Sequence, residues 1–511
     1  MEGGGMVQMI VLLIVGLFVY MYGVLYARPR RLKSMLEKQG IRGPSPSFLM
    51  GNITQIKRIQ LQTSSKKIDH FISHDWPSTI TPHLQQWIHQ YGPTFMYSTG
   101  NIQLLCTVDT DMVKEISLYT SFNLGKPSYL AKDRGPLLGQ SIMSSSGPLW
   151  AHQRKIIAPE FYIDRVKSML GLMVDSTTSI LRSWESRIES DGGIAEIDVD
   201  PDMRKLSADI ISRACFGSNY AKGEEIFLNL RTLQNVMSKG SVGIPGSRYL
   251  PTKSNRDIWK LEKEINSMIL RVVMERATAN HEKDLLQMIL EGAKSYGDHE
   301  PAGGLPPNVS VDKFIVDNCK AIYFAGHETT AITASWTLML LAAHPDWQAR
   351  ARAEVLEICK DKIPDAQMLR SMKILTMVIQ ETLRLYPPSM FVIREALEDI
   401  KLKNIMVPKG MDIQIPVAIL HRNPDIWGPD ADQFNPERFA TSKNAQAYMP
   451  FGIGARTCAG QHFAKAELKV ILSLILSKFG LSLSPAYIHS PAFRLVVQPE
   501  NGVNLYVRRI S

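Results

Sequence analysis

Residues 450–460 read PFGIGARTCAG, and an amphipathic run, QHFAKAELKVILSLILSKF, follows at 461–479. A proline, three glycines and one cysteine stand in a stretch short of helix and strand formers. Glycines at 452, 454 and 460 let backbone come close to the side chain at 458. The start of a helix would favour an ionised thiol there through its dipole and its free N–H groups. A thiolate presented in this way is a soft ligand of the kind that holds haem iron, and N–H groups aimed at the sulfur tune its potential. Arg456, two residues before the cysteine, is in reach of a haem propionate. The plain alternative is a structural cysteine in a glycine turn. Five fixed residues, Phe451, Gly454, Arg456, Cys458 and Gly460, coincide by chance in roughly one of 10,000 chains of this length, so the cofactor reading is preferred.

The rest of the chain limits the alternatives. It has 511 residues, 45% hydrophobic and 21% charged, enough for a sizeable buried core. Its five cysteines, Cys106, Cys215, Cys319, Cys359 and Cys458, are odd in number, scattered and free of CxxC spacing. That pattern excludes a disulfide framework and a zinc site, and it suits a reducing compartment. The formal charge is +9. No nucleic-acid motif accompanies it, so the excess points to a membrane surface and to acidic partner proteins.

Residues 6–27, MVQMIVLLIVGLFVYMYGVLYA, carry no charge. About 20 apolar helical residues cross a bilayer. Only Glu2 lies before this segment, whereas Arg28, Arg30, Arg31, Lys33 and Lys38 follow it. A cleaved signal peptide has basic residues before a shorter apolar region. The expectation is an uncleaved signal anchor: residues 1–5 lumenal, 6–27 spanning, 28–50 a basic and proline-rich hinge, and 51–511 a cytosolic catalytic domain. Glycosylation sequons at Asn52 and Asn308 would then stay bare.

Along the body, Pro82–Tyr91 reads as a helix, 93–110 as short strands, 126–149 as loop, and Trp150 to about Ala343 as mainly helical. Residues 298–310 read as a loop. Residues 398–418 and 491–508 alternate as strands, with Asn501-Gly502 as a turn. The chain is mainly α, with small β-sheets formed near its two ends. The longest helical pattern, VDKFIVDNCKAIYFAGHETTAITASWTLMLLAA at 311–343, stops at His344-Pro345. It is apolar on several faces and should run through the interior. In its middle, AGHETT (325–330) sets Gly326, which leaves room at the backbone, beside an acid, Glu328, and a hydroxyl, Thr329. Buried polar groups need partners or a purpose. A threonine-induced kink is the simpler alternative.

Together these features resemble one family. FGIGARTCAG is similar to the haem-binding signature of the cytochromes P-450, F-x-x-G-x-R-x-C-x-G. AGHETT resembles their oxygen-activation motif, ETLR (381–384) their E-x-x-R, FNPERF (434–439) their P-E-R-F, and Trp150 to Arg154 the W-x-x-x-R of a helix that lines the haem. E-x-x-R alone is weak, since about two arise by chance in 500 residues, but its place ahead of the other marks gives it value. The resemblance implies the cytochrome P-450 fold, a large α-rich part and a β-rich part with an N-terminal transmembrane helix. It makes Cys458 the axial thiolate ligand of haem b, with Trp150, Arg154, Ala325, Gly326, Arg394, Phe451 and Arg456 around the cofactor. Thr329 and Glu328 would manage proton delivery in oxygen activation. Glu381, Arg384 and Arg438 would form a buried structural network behind the cysteine loop.

Within the family, FISHDWP, GPLWAHQRKIIAPEF and SADIISRACFGS resemble plant members that oxidise gibberellins and triterpenoids. The implied activity is monooxygenation of a polycyclic terpenoid at the endoplasmic reticulum membrane. It would use O2 and NADPH electrons passed on by the membrane-bound NADPH–cytochrome P-450 reductase. Lys126, Lys132 and Arg134 are candidates to meet an acid group on the substrate. Ser389, Met390, Phe391, Val392 and Ile393, with the 491–497 hairpin, are candidates to line an apolar pocket. Lys443, Lys465 and Lys469 are candidates for the landing surface of the acidic reductase. Two other functions stay open at this point. One is a haem-thiolate isomerase or dehydratase that needs no reductase, against which Thr329 and Glu328 speak. The other is a non-enzymatic haem sensor, against which an apolar pocket with an oxygen motif speaks.

Overall fold

Val311–Ala343 forms one unbroken helix, roughly 50 Å long at 1.5 Å per residue. The Ser310 hydroxyl accepts the Lys313 N–H at its start, and His344 leaves helical geometry just before Pro345 at its end. The computed structural model describes residues 2–64, 72–217, 220–239, 246–277, 284–295, 309–360, 362–441 and 447–510. Lys443 and Asn308 lie outside the described residues, as does most of the 298–310 loop. Every residue of the long helix from Phe314 to Ala342 is buried except Ala325, Gly326 and Thr329. The helix therefore serves as the axle of the core, with a single breach at AGHETT.

The helix Val199–Phe216 packs antiparallel along this axle. Asp200 accepts the Ser335 hydroxyl at 3.1 Å, Arg204 pairs with Glu328, Ile211 fills the space left by Gly326, and Phe216 stacks on Tyr323 at 4.1 Å. The contacts at 200, 204, 207 and 211 recur at helical spacing, so one face of the second helix reads the first. Gln461–Lys478 packs on the axle as well. Trp336 anchors a further side: it stacks on Tyr386 at 4.3 Å and donates its indole N–H to the Val497 carbonyl.

The expected strands form, with partners the sequence did not name. Thr94–Thr99 pairs antiparallel with Ile102–Thr107, which runs parallel to Asp412–Pro416; Phe391–Ala396 and Leu124–Gly125 complete a five-stranded sheet. Asn504–Arg509 lies between Phe479–Leu483 and Ile194–Asp198 in a three-stranded sheet. Ile194–Asp198 interrupts the long helical region and exists because the chain end pairs with it. The terminal hairpin turns at Leu495, at φ +69°, between Pro491–Phe493 and Val497–Pro499. Asn501-Gly502 does turn the chain, but between Val497–Pro499 and Asn504–Arg509, which lie in different sheets. Gly502 passes so close to Asp198 that a side chain there would meet the carboxylate.

At the N-terminus, Glu2–Tyr22 continues through a π-turn, Gly23–Ala27, into the helix Arg28–Glu37. The described part is long and apolar enough to cross a membrane, with a mean hydropathy of 2.4 in its most apolar window and no burial against the body there. The stretch expected as a hinge is thus helical for its first ten residues. Leu32 and Leu36 are buried in a core cluster with Met96, Leu105 and Ile413, and the Gln39 amide bonds both the N–H and the carbonyl of Met406. Asn52 is buried, and its side chain accepts the Ser98 N–H at 2.9 Å and donates to the Ser45 carbonyl, so it serves the fold. Removal of residues 1–27 is expected to leave the urea-unfolding midpoint of the body unchanged. Removal of 1–40 strips Leu32 and Leu36 and should lower stability by about 3–6 kcal/mol, read from the same curves.

Candidate active site

Cys458 differs from the other four cysteines. Those are buried, and it alone is exposed. The protein packed around it still pushes its thiol up. The Gly460 N–H, Arg154 and Lys465 act in the opposite direction and favour thiolate. The loop that presents it is fixed by its own backbone, with the Cys458 N–H on the Phe451 carbonyl at 2.8 Å. Gly454 has φ +66°, and an added Cβ would stand 2.7 Å from the Ser117 carbonyl oxygen. Only glycine meets both conditions there.

A ring of cations surrounds this loop. Arg154 donates to the Thr457 carbonyl, Arg394 to that of Ile453, and Arg456 to that of Ser145. Arg456 also lies over the Trp150 ring at 4.2 Å. Burial pulls Arg394 down to about 10, and burial together with Arg394 and Arg154 pulls Arg456 down to about 9. Lys126 belongs to the same group, depressed by burial and then by Arg394 and Arg456. None of these four cations forms an ion pair with a carboxylate among the described residues. Buried like charges without counter-ions are costly, and two carboxylates of a bound group would relieve them. The donor set and the exposed thiol therefore fit a haem with its propionates on this side.

The structure brings Glu381, Arg384 and Arg438 together. Arg384 grips Glu381 through two hydrogen bonds of 2.7 Å, and Arg438 approaches the same carboxylate at 3.4 Å. Arg384 also donates to the carbonyls of His421, Ala431 and Gln433, and Glu381 accepts the Asn435 N–H. The pair is wholly buried and ties the segment before the cysteine loop to the core. Its spacing of three residues places both side chains on one helix face.

The breach in the axle orders the AGHETT residues by direction. Ala325 and Thr329 share one partly open face, and the Thr329 hydroxyl donates to the Ala325 carbonyl at 2.8 Å. Glu328 points the other way and is buried. Burial opposes its ionisation, but Arg204, then His327 and Arg231, overcome it and hold the carboxyl below the ordinary glutamate range. Arg204 is itself shared with Asp200 at 2.8 Å. In the direction a side chain would take, Gly326 is filled by the Val199–Phe216 helix: Ile211 Cδ1 would lie 2.6 Å from an added Cβ. Its smallness serves helix packing. The Asp200–Arg204 pair was not singled out in the sequence; an acid and a base four apart on one helix are its only local signal, and nothing local ties it to Glu328.

The basic residues expected at the substrate do not converge. Lys126 faces Arg394 and Arg456, Lys132 is exposed, and Arg134 bonds the Met237 carbonyl. Two one-turn helices, Ser128–Lys132 and Gly135–Leu138, swing them apart. Strand alternation likewise divides the apolar set. Met390 packs in the main core and Val392 in the second cluster, while Phe391 and Ile393 keep open surface and Phe391 meets Phe493 edge-on. Ser389 is exposed and turns to the Phe391 carbonyl.

Comparison with known proteins agrees with this geometry. The family model Cytochrome P450 matches residues 73–506. The chain is 51% identical to cytochrome P450 714C2 of Oryza sativa subsp. japonica, over 98% of this chain and 97% of that one. It is 46% identical to cytochrome P450 714B3 of Zea mays, covering 97% and 94%, and 45% identical to cytochrome P450 714A2 of Arabidopsis thaliana, covering 97% of each. The chain belongs to the cytochrome P450 family. As a cytochrome P450 it is a monooxygenase that carries haem b on a cysteine thiolate and uses O2 with electrons from a redox partner. The isomerase and sensor readings are not favoured. Glu381→Ala would leave Arg384 charged and unpaired in the interior; we expect a loss of about 3–5 kcal/mol in chemical unfolding and a matching fall in recovered haem protein.

Proposed function

We propose that Cys458 is the axial ligand and that the enzyme hydroxylates, or further oxidises, a polycyclic terpenoid, most simply a triterpenoid or gibberellin-type diterpenoid acid. The observation that carries the site assignment is the exposed thiol of Cys458 inside a ring of cations without counter-ions. Trp150, Arg154, Arg394 and Arg456, joined by Lys126, would hold the propionates, since guanidinium forks pair carboxylate oxygens well. When bound, the haem supplies O–O cleavage assisted by the thiolate. The chain's own part is to place a proton donor and to exclude water. Thr329 holds its hydroxyl on the Ala325 carbonyl at the breach of the axle, where it can accept and pass on a proton. Glu328, ionised against Arg204, is the charge behind that hydroxyl.

The terpenoid reading is supported by the sequence phrases shared with gibberellin- and triterpenoid-oxidising plant members and by the apolar surfaces of Phe391, Ile393 and Phe493. The N-terminal apolar helix supports a single-pass anchor, for which we propose the endoplasmic reticulum with the body on the cytosolic side. The redox partner would be the acidic NADPH–cytochrome P-450 reductase. Lys465 and Lys469, with Lys167, Arg370 and His462, edge a mainly apolar cleft of about 250 Å³ beside the helix that follows Cys458.

Titration of haem protein with polycyclic terpenoid acids should shift the iron spin state, and the same compounds should yield oxygenated products only with reductase and NADPH. Product without reductase would overturn the monooxygenase reading; no spin shift with any terpenoid would overturn the substrate class. Thr329→Ala is expected to lower product formation by about ten-fold or more while NADPH consumption continues. Charge reversal at Lys469, which is not among the groups acting on Cys458, should slow reduction by the reductase without loss of haem; an unchanged rate would refute the landing surface.

A further inference from the structure

Where the N-terminal helix meets the body, two acids stand opposite each other on adjacent strands. Glu395 of Phe391–Ala396 and Asp412 of Asp412–Pro416 are direct partners in the antiparallel ladder. Like charges directly opposite in such a pair destabilise it. Glu395 accepts the Ser128 N–H at 2.6 Å. Asp412 is 5% exposed, and its Oδ1 has no hydrogen bond among the described residues. Neither acid forms an ion pair among those residues. Burial, and then Glu395, push Asp412 up to about 8, with Arg28 acting against them. A proton thus stands in for a counter-charge that the fold does not supply.

Both acids line a small cleft together with Val24, Arg28, Leu32 and Tyr129. The Arg28 guanidinium lies against Gly410, whose φ is +82° and where an added Cβ would collide with it. Only glycine leaves that seat open. Arg28 has no ion pair among the described residues either. The cleft therefore joins one free guanidinium to two carboxyl groups that lack a cation.

Its position says what reaches it. Val24 lies within the apolar stretch 6–27, and Arg28, one helical turn on, is the first charge after it. Basic residues that close a membrane span lie at the level of the lipid headgroups. A phospholipid with a primary ammonium carries the complementary pair of charges: phosphate for the guanidinium, ammonium for the carboxyls. A primary ammonium has three N–H donors, whereas a trimethylated one has none. At about 80 Å³ the cleft is well below the ~300–1,000 Å³ of a pocket that encloses a whole small ligand, so it suits a headgroup and not a polycyclic body.

We infer that this cleft is a headgroup site for phosphatidylethanolamine, with Asp412 and Glu395 on the ammonium and Arg28 on the phosphate. The inference rests on the single-pass anchor reading. It gives the anchor helix a second tie to the sheet, beside Leu32 and Leu36, and makes that tie depend on the lipid.

The test uses the full-length haem protein in vesicles of phosphatidylcholine and phosphatidylethanolamine in equal parts. After flotation and mild extraction, native mass spectrometry counts the lipids that stay bound. Wild type should retain phosphatidylethanolamine several-fold over phosphatidylcholine. Asp412→Asn and Arg28→Gln should each bring the ratio back to that of the vesicles, with the carbon-monoxide spectrum unchanged. Should Asp412→Asn not fold, Arg28→Gln, a change at an exposed helix position, decides alone. Equal retention of the two lipids by wild type, or an unchanged preference in Arg28→Gln, overturns the proposal. So does displacement of the bound lipid by soluble phosphoethanolamine at the same concentration, which would make the ligand a free metabolite. Failure of the wild type to float with the vesicles would instead overturn the anchor reading, and the flotation step keeps the two failures apart.

Discussion

The constraint on which the structure turns is that one helix must hold the core and still leave it open at a single turn. Val311–Ala343 is buried over nearly its whole length, so each polar group on it needs a partner inside the protein. The antiparallel helix Val199–Phe216 provides those partners in register: Asp200 for Ser335, Arg204 for Glu328, Ser207 for the Gly326 carbonyl. With one side of AGHETT committed in this way, Ala325 and Thr329 are left partly open on the other. The breach is a consequence of how tightly the opposite face is held.

The second half of the site obeys a different rule. The cysteine loop has little regular structure, so its shape comes from positive-φ glycines and from side chains spent on its carbonyls. Glu381 and Arg384 make the support behind it rigid through buried hydrogen bonds to several distant carbonyls. Such a pair adds little net stability over an apolar packing, but it specifies one arrangement of chain segments that are remote in sequence. The cations around the loop are then the signature of a group that the chain expects to bind, since a folded protein left to itself would not collect Lys126, Arg394 and Arg456 with no ion pair to a carboxylate among the described residues.

Much of this was legible in the sequence because it is local. The long helix runs over the residues its pattern marked, and Glu381 and Arg384 meet because three residues bring side chains onto one helix face; the close approach in the cysteine loop is at Gly454, against Ser117 and not against Cys458 as expected. What escaped is non-local. The strand Ile194–Asp198 depends on the chain end, the burial of Leu32 and Leu36 on a sheet far along the chain, and the placement of Lys126 on arginines nearly 270 and 330 residues away. The contact of Gly326 with Ile211 also escaped, because a sequence shows that space exists but not which neighbour fills it. The run Ser389 to Ile393 was read as one wall, although a strand sends alternate side chains to opposite faces.

The account stands or falls on Cys458 as the iron ligand. The most direct measurement is a reduced, carbon-monoxide difference spectrum of the recombinant protein beside Cys458→Ala. The account requires the red-shifted Soret band of a thiolate-bound haem in the first and its loss in the second. A wild type without bound haem, or a variant that keeps the same band, would contradict it.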